Sequence, residues 1–551
     1  MGKTLQIVIP MSGFGERFRR AGYETPKPLI VVDGKPIIHH VVDLFPGDHD
    51  FVFICNESHL QNPEFRMEEI LQETGVRHKI HRIAPHKLGP VHAILSAKEL
   101  LDPEIETIVN YADFTCLWNF EEFCEAVSDP KISGAVPAYR GFHPHSGGNT
   151  NYAYIRESNL ILEEIREKQP FTDSKTQEFA STGTYYFENA RTMLYYLERQ
   201  VAENIHVSGE FYVSSAFDLM AKDGKNVQVY EIEHFMQWGT PQDLAEYEFW
   251  SNKLGVLSRL GNDSLPIEGT GAALFLASGL GSRFKSKGYK TPKPLLRIAG
   301  QTVLEQVRKA VGNEEECLVS SLESSGIARF LDDRNFGRAV VLNELSGGQA
   351  DSASHLVQQL PASFSGNFTV FPTDTLFADS SRELQKDFGA EKETVTVWIQ
   401  SPSIFNKENP ESFGWIGVTG ESVWTSVKTR PSHSDCFVMS GAFTFSSPTL
   451  FKRLHEKLRE SGVLVNGERY LDSIVQVAID LGVNVQLFNP TFSISLGTPY
   501  EFETYRYWQS CFDRWISHPY CLEKDVFVLE GDIESVRQEL RITRHKPEEW
   551  G

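Results

Sequence analysis

Short apolar runs of strand length alternate along the chain with amphipathic stretches. QIVIPM, FVFIC and ETIVNYAD, beginning at residues 6, 51 and 106, contain the nearly continuous runs typical of strands buried on both faces. IIHHVVDLF and MEEILQETG, beginning at residues 37 and 67, place apolar residues at helical spacing. This alternation predicts an α/β domain with a mostly parallel sheet, whose ligands bind at the carboxyl ends of the strands.

The same succession occurs twice. Residues 12–34 (SGFGERFRRAGYETPKPLIVVDG) and 278–300 (SGLGSRFKSKGYKTPKPLLRIAG) align without a gap and are identical at 13 of 23 positions. Four later segments recur in the same order, which indicates two copies of one domain of roughly 250 residues. Those segments are NYADF and FPTDT, IREKQP and SVKTRP, SGEFYVSSA and NGERYLDSI, and QWGTPQDL and SLGTPYEF.

The repeat predicts the domain organisation. We expect a linker near residues 252–270, where Gly, Asn, Ser and Pro cluster. The C-terminal extension has no counterpart in copy one, and its segments DVFVLEG and DIESVRQELRI predict a strand and a helix. The predicted units are domain 1 at residues 1–255, domain 2 at residues 268–510 and the extension at residues 511–551.

Composition narrows the class of partner. The 551-residue chain is 40% hydrophobic and 23% charged, and its formal net charge of −21 disfavours nucleic acid as a partner. No stretch approaches the roughly 20 apolar residues of a membrane helix, and the N-terminus lacks the features of a signal peptide. Seven scattered cysteines without a C-x-x-C pair indicate reduced thiols. We therefore expect a cytoplasmic protein without a membrane partner, of unknown oligomeric state.

A glycine-containing loop follows the first predicted strand of each copy. Its glycines allow backbone N–H groups to approach phosphate oxygens closely, and the nearby cations suit phosphates that gain charge in a transition state. A tight turn with two surface cations is the alternative, but recurrence of the same residues favours a phosphate site. They are Gly13, Gly15, Arg17 and Lys27, and Gly279, Gly281, Arg283 and Lys293.

Two better-known phosphate loops do not fit. A dinucleotide fingerprint needs a third glycine, where this chain has Phe18 and Phe284. Its acidic residue about 20 positions on is Asp33 in copy one but Ala299 in copy two. A Walker loop is excluded because no G-K-[ST] follows the glycines.

Asp113 and Asp374 each follow a predicted strand in a short polar turn. A carboxylate at that position can bind Mg²⁺, a hard cation that prefers oxygen ligands and bridges nucleotide phosphates. A turn-forming aspartate is the alternative, and the recurrence in both copies favours the metal.

Together, G-x-G-x-R, PKPL, a strand-end Asp, a later Lys and a terminal GTP motif resemble the sugar-phosphate nucleotidyltransferase superfamily over roughly residues 5–250 and 271–507. That superfamily includes sugar-1-phosphate nucleotidylyltransferases and phosphocholine cytidylyltransferases. The resemblance implies two tandem nucleotide-diphospho-sugar transferase domains (GT-A or Rossmann-like), each a mostly parallel mixed sheet flanked by helices. It also implies Mg²⁺ as cofactor, with an NTP and a phosphorylated small molecule as ligands.

The resemblance assigns roles residue by residue. The implied catalytic residues, which contact phosphates, are Arg17, Lys27, Lys168, Arg283, Lys293 and Lys428. The implied nucleotide-binding residues are Ser12, Gly13, Gly15, Gly89, Pro90, Ser278, Gly279, Gly281, Gly348 and Gln349. The implied metal ligands are Asp113 and Asp374. The base-binding segments KLGP at 87–90 and GGQA at 347–350 differ, so base preference differs between the copies or one copy is impaired.

One departure concerns the second metal-binding Asp that many family members place before the GTP motif. This chain has Gln237-Trp238 and Ser495-Leu496 there. Glu210 and Glu468 are candidate replacements or acceptor ligands, and the alternative is a glutamate at a helix N-terminus.

A loop with the sequence HPHSGGNTN is present in copy one and absent from copy two. Its His143 and His145 are spaced for a metal, but an exposed polar loop is the commoner case. We expect this loop, with Asn149 and Asn151, to contact the acceptor and set specificity.

The leading hypothesis is transfer of NMP from an NTP to a sugar 1-phosphate or similar acceptor, with release of pyrophosphate, for surface-polysaccharide precursors. A CTP-dependent enzyme with a phosphocholine- or phosphonate-like acceptor is the alternative. Two alternatives come from other classes. A nucleotide-sugar glycosyltransferase would have a D-x-D motif, which this chain does not have at Asp113 or Asp374. A nucleotide-binding module with one inactive copy is the other alternative, and the sequence does not exclude it. Because each copy holds a complete set of residues, we expect two separate sites with different substrates.

Overall fold

A computed structural model describes residues 3–147, 152–261, 264–311, 316–334, 336–381, 384, 392–420 and 422–542. The chain folds as two compact units, Met1–Glu248 and Phe249–Gly551. Among the described residues, no helix combines the length and apolar character needed to cross a bilayer. All seven cysteines are described, and each is a free thiol, as the sequence predicts.

The first unit is a mixed α/β structure. Its strands are β1 (Gln6–Met11), β2 (Val31–Val32), β3 (Lys35–Pro36), β4 (Asp50–Asn56), β5 (Arg77–Ile83), β6 (Thr107–Asn110), β7 (Phe114–Leu117), β8 (Gly134–Tyr139), β9 (Ala153–Ser158), β10 (Ile161–Glu167), β11 (Phe179–Ser181), β12 (Thr184–Phe187), β13 (Val227–Glu231) and β14 (His234–Gln237). Its helices are α1 (Glu16–Arg20), α2 (Ile37–Val42), α3 (Glu57–Gln61), α4 (Met67–Glu73), α5 (Pro90–Ser96), α6 (Phe120–Ala126), α7 (Ala190–Ala202) and α8 (Ser214–Lys222). Helix α9 (Pro241–Leu257) begins in the first unit and continues past its last residue, Glu248.

Within the described residues of this unit, ten strands form one sheet in the order β11-β9-β10-β13-β8-β12-β6-β1-β4-β5. Strand β1 pairs in parallel with both neighbours, so that Val8 lies opposite Val52 and Val109. Since Ile7, Val8 and Ile9 are all fully buried, the continuous apolar run reflects burial on both faces. The parallel pairing brings the ends of β1 and β6, and the loops that follow them, to the same edge of the sheet.

The second unit repeats this architecture. Its strands are β15 (Ala272–Leu276), β16 (Arg297–Ile298), β17 (Gln301–Thr302), β18 (Cys317–Leu322), β19 (Arg338–Leu342), β20 (Phe368–Pro372), β21 (Thr375–Ala378), β22 (Thr394–Gln400), β23 (Gly414–Thr419), β24 (Ser422–Val427), β25 (Phe437–Phe445), β26 (Asn484–Phe488) and β27 (Phe492–Ser495). Its helices are α10 (Ser282–Lys285), α11 (Val303–Lys309), α12 (Ile327–Arg334), α13 (Gln349–Gln358), α14 (Ile404–Glu408), α15 (Pro448–Ser461), α16 (Leu471–Asp480), α17 (Pro499–Arg514) and α18 (Ile533–Ile542).

The main sheet of this unit runs β19-β18-β15-β20-β25-β22-β26, with β23 paired to β25 and β24 paired to β23. The first sheet has the equivalent succession β5-β4-β1-β6-β12-β8-β13. The sequence repeat is therefore also a repeat of topology, and the predicted fold class is confirmed.

The predicted strand DVFVLEG in the C-terminal extension is wrong. Its first residue, Asp525, is buried and accepts hydrogen bonds from the Tyr520 hydroxyl at 2.7 Å and from the Phe527 backbone N–H at 2.9 Å. These local bonds fold the segment into turns, because a short acidic side chain competes with sheet pairing for backbone donors. The predicted helix that follows is present as α18.

The start of the predicted linker is also helical. Helix α9 continues to Leu257, and Leu254 and Leu257 are both fully buried, so apolar burial holds these residues in a helix. At the other end of this segment, Ile267 forms an isolated bridge with Val311. Likewise, helix α17 runs through residue 510, where we expected domain 2 to end.

Candidate active site

A cavity of about 590 Å³ opens at the carboxyl ends of β1 and β6 in the first unit. Three described residues that we predicted for the site of copy one are not on its wall: Leu88 of the base-binding segment and the loop histidines His143 and His145. The other described residues that we predicted for this site do line the wall. They are Ser12, Gly13, Gly15, Arg17, Lys27, Lys87, Gly89, Pro90, Asp113, Lys168 and Glu210. Asn151 and Asn149 lie outside the described residues.

The second unit has a smaller cavity, of about 300 Å³, at the equivalent place. The predicted residues on its wall are Gly281, Arg283, Lys293, Gln349, Asp374 and Lys428. The remaining predictions for copy two, Ser278, Gly279, Gly348 and Glu468, are not on this wall. The second site thus keeps four charged groups of the first, one arginine, two lysines and one aspartate, in a cavity of smaller volume.

The glycine loop is built by a left-handed residue at the start of a short helix. Gly15 has φ +62° and Gly281 has φ +61°, a conformation that favours glycine because it has no Cβ. Gly13 is different, since a Cβ built there meets no protein atom within 4 Å. The protein's own packing therefore does not require glycine at position 13, and space for a ligand is the remaining physical reason.

The lysine of each PKPL motif pairs with the strand-end aspartate. Lys27 Nζ lies 2.8 Å from Asp113 Oδ2, and both side chains are about a quarter exposed on the cavity wall. Lys293 and Asp374 form the same ion pair in the second unit. The sequence predicted both members and gave them separate roles; the structure shows that they are in contact.

The later lysine of copy one occupies a strained position. Lys168 follows β10 with φ +59°, in the left-handed region that non-glycine residues rarely adopt. Its Nζ donates to the Tyr212 hydroxyl at 2.5 Å, and that hydroxyl donates in turn to the Glu210 carboxylate. These hydrogen bonds hold the Lys168 ammonium group at the wall of the cavity that Asp113 also lines.

Lys428 has the same backbone conformation, with φ +54°, after β24. Its Nζ donates to the carbonyl oxygen of Ser412 and lies 5.2 Å from the ring centroid of Tyr470, the counterpart of Tyr212. Burial lowers the pKa of Lys428, and the nearby Asp472 carboxylate opposes that shift.

Glu210 and Glu468 do not lie at helix N-termini. Each sits in a short bridge with the residue three positions earlier, Val207 or Val465, and helices α8 and α16 begin later. The helix-terminus alternative is therefore wrong for both. Glu210 contributes to the cavity through Tyr212, whereas Glu468 is exposed.

The two base-binding segments differ in sequence but share one backbone arrangement. Leu88 O and Val91 N bond to the backbone of Phe211, as Gly347 O and Ala350 N bond to that of Arg469. Glycine is required at position 89 because the Phe211 backbone lies close to it: a Cβ there would be 2.7 Å from Phe211 N and O. Pro90 and Gln349 then begin helices α5 and α13.

The groups beside Asp113 decide which metal ligands are available. A Cβ built on Gly239 of the GTP motif would lie 2.4 Å from Gln237 Nε2 and 3.3 Å from Asp113 Oδ2. The Gln237 side-chain amide therefore stands beside the Asp113 carboxylate, where many family members have a second Asp. Among the described residues, no group of three or more His, Cys, Asp or Glu side chains is placed for a metal. The Asp113 carboxylate and the phosphates of a ligand fit Mg²⁺, which prefers oxygen ligands and usually keeps several waters.

A further carboxylate near each site was missed by sequence reasoning. Asp243 accepts from Thr240 Oγ1 at 2.6 Å, and its counterpart Glu501 accepts from Thr498 Oγ1 at 2.8 Å. Burial raises the pKa of Asp243, and it raises that of Glu501 to about 7. The available sequence feature was an acidic residue three positions after the Thr of both GTP motifs. Tyr212 and Tyr470 were missed as well, although G-E-x-Y recurs.

The loop containing HPH is not the exposed polar loop we expected. His143 is only 2% exposed, and its ring packs 4.4 Å from that of Tyr139. His145 Nε2 lies 2.9 Å from the Tyr139 hydroxyl, and burial lowers its pKa to about 3. Aromatic packing, which the polar flanks do not reveal in the sequence, buries His143 and partly covers His145.

Two α/β units with equivalent, cation-lined cavities at strand ends define a Rossmann-like protein with a duplicated site. The chain belongs to the nucleotidyl transferase family, whose model matches residues 7–249 and 272–487. This membership confirms the predicted resemblance and favours it over the glycosyltransferase alternative.

Curated relatives match only part of their own length. The bifunctional protein GlmU of Azorhizobium caulinodans is 27% identical over 243 residues, which cover 42% of this chain and 49% of that protein. GlmU of Desulfotalea psychrophila is 26% identical over 231 residues, covering 41% of this chain and 63% of that protein. The matched segment thus spans between about half and two thirds of the relatives' length.

Solved structures match one domain's length. A nucleoside-diphosphate-sugar pyrophosphorylase from Vibrio cholerae RC9 is 19% identical, covers 44% of this chain and 99% of that chain, and has a TM-score of 0.36. The inositol-1-phosphate CTP transferase from T. maritima is 14% identical, covers 44% and 92%, and has a TM-score of 0.35.

Proposed function

We propose that the protein is a magnesium-dependent nucleotidyltransferase with two active sites, each transferring NMP from an NTP to a phosphorylated small molecule. The observation that carries this proposal is the recurrence, in two cavities, of the same four charged groups. In both units the loop arginine, the PKPL lysine, the strand-end aspartate and the later lysine line one cavity. Three cations around one carboxylate suit ligands that carry several phosphate charges.

One set of residues binds the NTP, and another binds the acceptor. The backbone of the glycine loop, with Arg17 and Lys27, binds the NTP phosphates and stabilises their growing charge. Lys168, held by Tyr212, binds the acceptor phosphate and orients one of its oxygens toward the α-phosphorus. Arg283, Lys293 and Lys428 take these roles in the second site.

The reaction needs no covalent enzyme intermediate. An oxygen of the acceptor phosphate forms a bond to the α-phosphorus, the bond from that phosphorus to the bridging oxygen breaks, and pyrophosphate leaves with that oxygen. Asp113 and Asp374 would hold Mg²⁺, which when bound neutralises phosphate charge. Lys27 and Lys293, which contact these carboxylates, are placed to hold the phosphates beside them.

The acceptor proposed first is a sugar 1-phosphate, used in the cytoplasm for surface-polysaccharide precursors. This choice rests on the sequence resemblance. The CTP-dependent alternative has a structural observation in its favour, because aromatic rings lie on the wall of the first cavity and can bind a quaternary ammonium group. These rings belong to Tyr111 and Tyr152, which are both partly exposed.

A screen of the four NTPs against sugar 1-phosphates, phosphocholine and phosphonates, read by pyrophosphate release, tests the function. We expect release only with Mg²⁺ and a matching acceptor, and none from a chain carrying both Asp113→Asn and Asp374→Asn. The matched control replaces two exposed aspartates outside the cavities, Asp129→Asn and Asp333→Asn, and should keep full activity. Full activity in the Asp113 and Asp374 double variant would overturn the metal assignment, and no release from the unmodified chain would overturn the function.

A further inference from the structure

The acceptor lysines provide a fixed point for comparing the two cavities. Besides sharing a left-handed conformation, Lys168 and Lys428 donate their backbone N–H groups equivalently, to Tyr152 O at 2.8 Å and to Phe413 O at 3.0 Å. The residues around them are therefore matched in space as well as in sequence. Three matched positions beside the lysine differ in a coordinated way. With the residue of the first unit given first, the three pairs are Glu167 with Val427, Ser214 with Asp472, and Ala153 with Gly414.

In the first unit, the carboxylate beside the lysine comes from the strand. Glu167 is the last residue of β10 and lies on the cavity wall. Its carboxylate accepts a hydrogen bond from Ser214 Oγ at 2.6 Å, at the start of helix α8. Ser214 itself is fully buried. The pair places an acceptor of hydrogen bonds next to Lys168.

In the second unit, the strand position is Val427, which has no polar group to offer. The carboxylate comes instead from the helix, where Asp472 stands at the position of Ser214. Asp472 lies on the wall of the second cavity and is only 7% exposed. The charge beside the lysine has therefore not been lost but has moved from one element to the other.

The third difference makes room for this change. A Cβ on Gly414 would lie 2.2 Å from Asp472 Oδ2, far inside contact distance. The matched residue in the first unit, Ala153, has a Cβ, and the small Ser214 stands where the aspartate would be. Glycine at 414 thus leaves room for the carboxylate of Asp472 and for Met439 Cε, which would lie 2.8 Å from the same Cβ. This fit between Gly414 and Asp472, together with the loss of the strand carboxylate at Val427, argues for a functional position of the carboxylate.

Because the Asp472 carboxylate is buried, it needs hydrogen-bond donors or an opposite charge beside it. A buried carboxylate is costly unless hydrogen-bond donors or an opposite charge satisfy it. Burial raises the pKa of Asp472, and the Lys428 ammonium opposes that shift. If Lys428 binds the acceptor phosphate, then Asp472 faces the part of the acceptor next to the phosphate.

We propose that Asp472 determines the acceptor specificity of the second site by accepting hydrogen bonds from hydroxyl or ammonium groups next to the acceptor's phosphate. This inference rests on the proposed function. Because the carboxylate occupies another place in the first site, the second site takes a different acceptor. A phosphate ester without such donors, such as phosphocholine, does not satisfy Asp472.

The test uses the full chain with the first site silenced by Asp113→Asn. Acceptor kinetics are measured by pyrophosphate release for glucose 1-phosphate, N-acetylglucosamine 1-phosphate, phosphoethanolamine and phosphocholine. We expect a donor-bearing acceptor to be preferred. We expect Asp472→Asn to lower kcat/KM for that acceptor by about 10- to 100-fold, as for loss of a charged hydrogen-bond partner, without changing the KM for the NTP. The control Asp480→Asn, at the exposed end of the same helix, should change neither.

A transplant provides the second variant. The combination Gly414→Ala, Val427→Glu and Asp472→Ser rebuilds the arrangement of the first site in the second. The transplant is measured with the first site silenced by Asp113→Asn, and its acceptor preference should move toward that of the first site. The preference of the first site is measured separately, in a chain carrying Asp374→Asn alone.

The outcomes separate the two proposals. Preference for phosphocholine, or an unchanged acceptor kcat/KM in Asp472→Asn, would overturn the specificity role. An equal loss of kcat with every acceptor would overturn it too, because it would make Asp472 only a support for Lys428. No pyrophosphate from the unmodified chain with any pair would overturn the proposed function, and this inference with it.

Discussion

At the scale of single residues, one ion pair lies on the wall of each cavity. Lys27 with Asp113 and Lys293 with Asp374 are each about a quarter exposed, so solvent screens them and their contribution to stability is small. A pair that stabilises little, yet occurs in both copies, is better explained by ligand binding than by folding.

Replacement of the lysine tests that explanation. With the second site silenced by Asp374→Asn, Lys27→Met should lower kcat/KM for the nucleotide by about 10²–10³, the usual cost of losing one stabilising donor. The thermal midpoint should stay nearly constant because the pair is partly exposed. Lys131→Met, an exposed lysine outside the cavity, serves as the control. Near-normal kinetics in Lys27→Met would make this lysine structural.

Replacement by alanine should affect nucleotide binding at Gly13 and folding stability at Gly89. Gly13→Ala meets no protein atom, so folding stability should stay within about 0.5 kcal/mol while nucleotide KM rises about 10- to 100-fold. Gly89→Ala combines φ +86° with a contact of 2.7 Å to the Phe211 backbone. It should cost roughly 1–3 kcal/mol of stability. Denaturant titration and nucleotide kinetics distinguish the two, and a destabilised Gly13→Ala would contradict the phosphate-loop assignment.

The residues of the first site were predictable because each belongs to a repeated motif with chemistry of its own. What sequence could not provide was contact between motifs. Lys27 and Asp113 are 86 positions apart, and Lys168 and Tyr212 are 44 apart. Ser278, Gly279 and Gly348 follow the same motifs but do not line the smaller second cavity, whose shape depends on packing that no motif encodes.

At the scale of elements, helix α17 carries a half-buried acidic residue with a consequence for stability. Burial raises the pKa of Glu503 to about 7, although Arg506 and the Tyr289 hydroxyl favour its ionised form. Because the folded-state pKa lies above the ordinary value of 4.5, this group's contribution to stability is fully present below about pH 4.5. It is lost as pH rises through about 7.

We therefore expect Glu503→Gln to reduce the fall in stability between pH 4.5 and 8. A shift of this size corresponds to about 3 kcal/mol at the upper pH. Scanning calorimetry across this range measures it, with the exposed Glu456→Gln of helix α15 as control. Parallel pH dependence in Glu503→Gln and the unmodified chain would show that Glu503 titrates normally.

Most elements were predictable where the apolar pattern alone decides the structure. The run at β1 and the helical spacing at α2 and α4 are examples. The segment after Asp525 failed because a single buried carboxylate captured backbone donors that a strand would have used. Helix α9 extended into residues rich in turn formers because its leucines are buried.

At the scale of the whole molecule, each cavity is lined by residues of its own unit. Silencing one site should therefore leave the other intact. We expect Asp113→Asn and Asp374→Asn, each in the full chain, to abolish pyrophosphate release with one acceptor and to keep the kcat and KM for another. Loss of both activities from either single substitution would indicate one composite site.

Because both cavities lie on one polypeptide, every molecule that is synthesised or degraded changes the number of both sites together. With two active sites, as proposed, the ratio of the two fluxes cannot be regulated by transcription, translation or turnover. It depends on the supply of each substrate and on substitutions confined to one half, such as those around Asp472. A fused duplication therefore ties the gene dosage of the two steps together permanently while leaving their chemistry free to diverge.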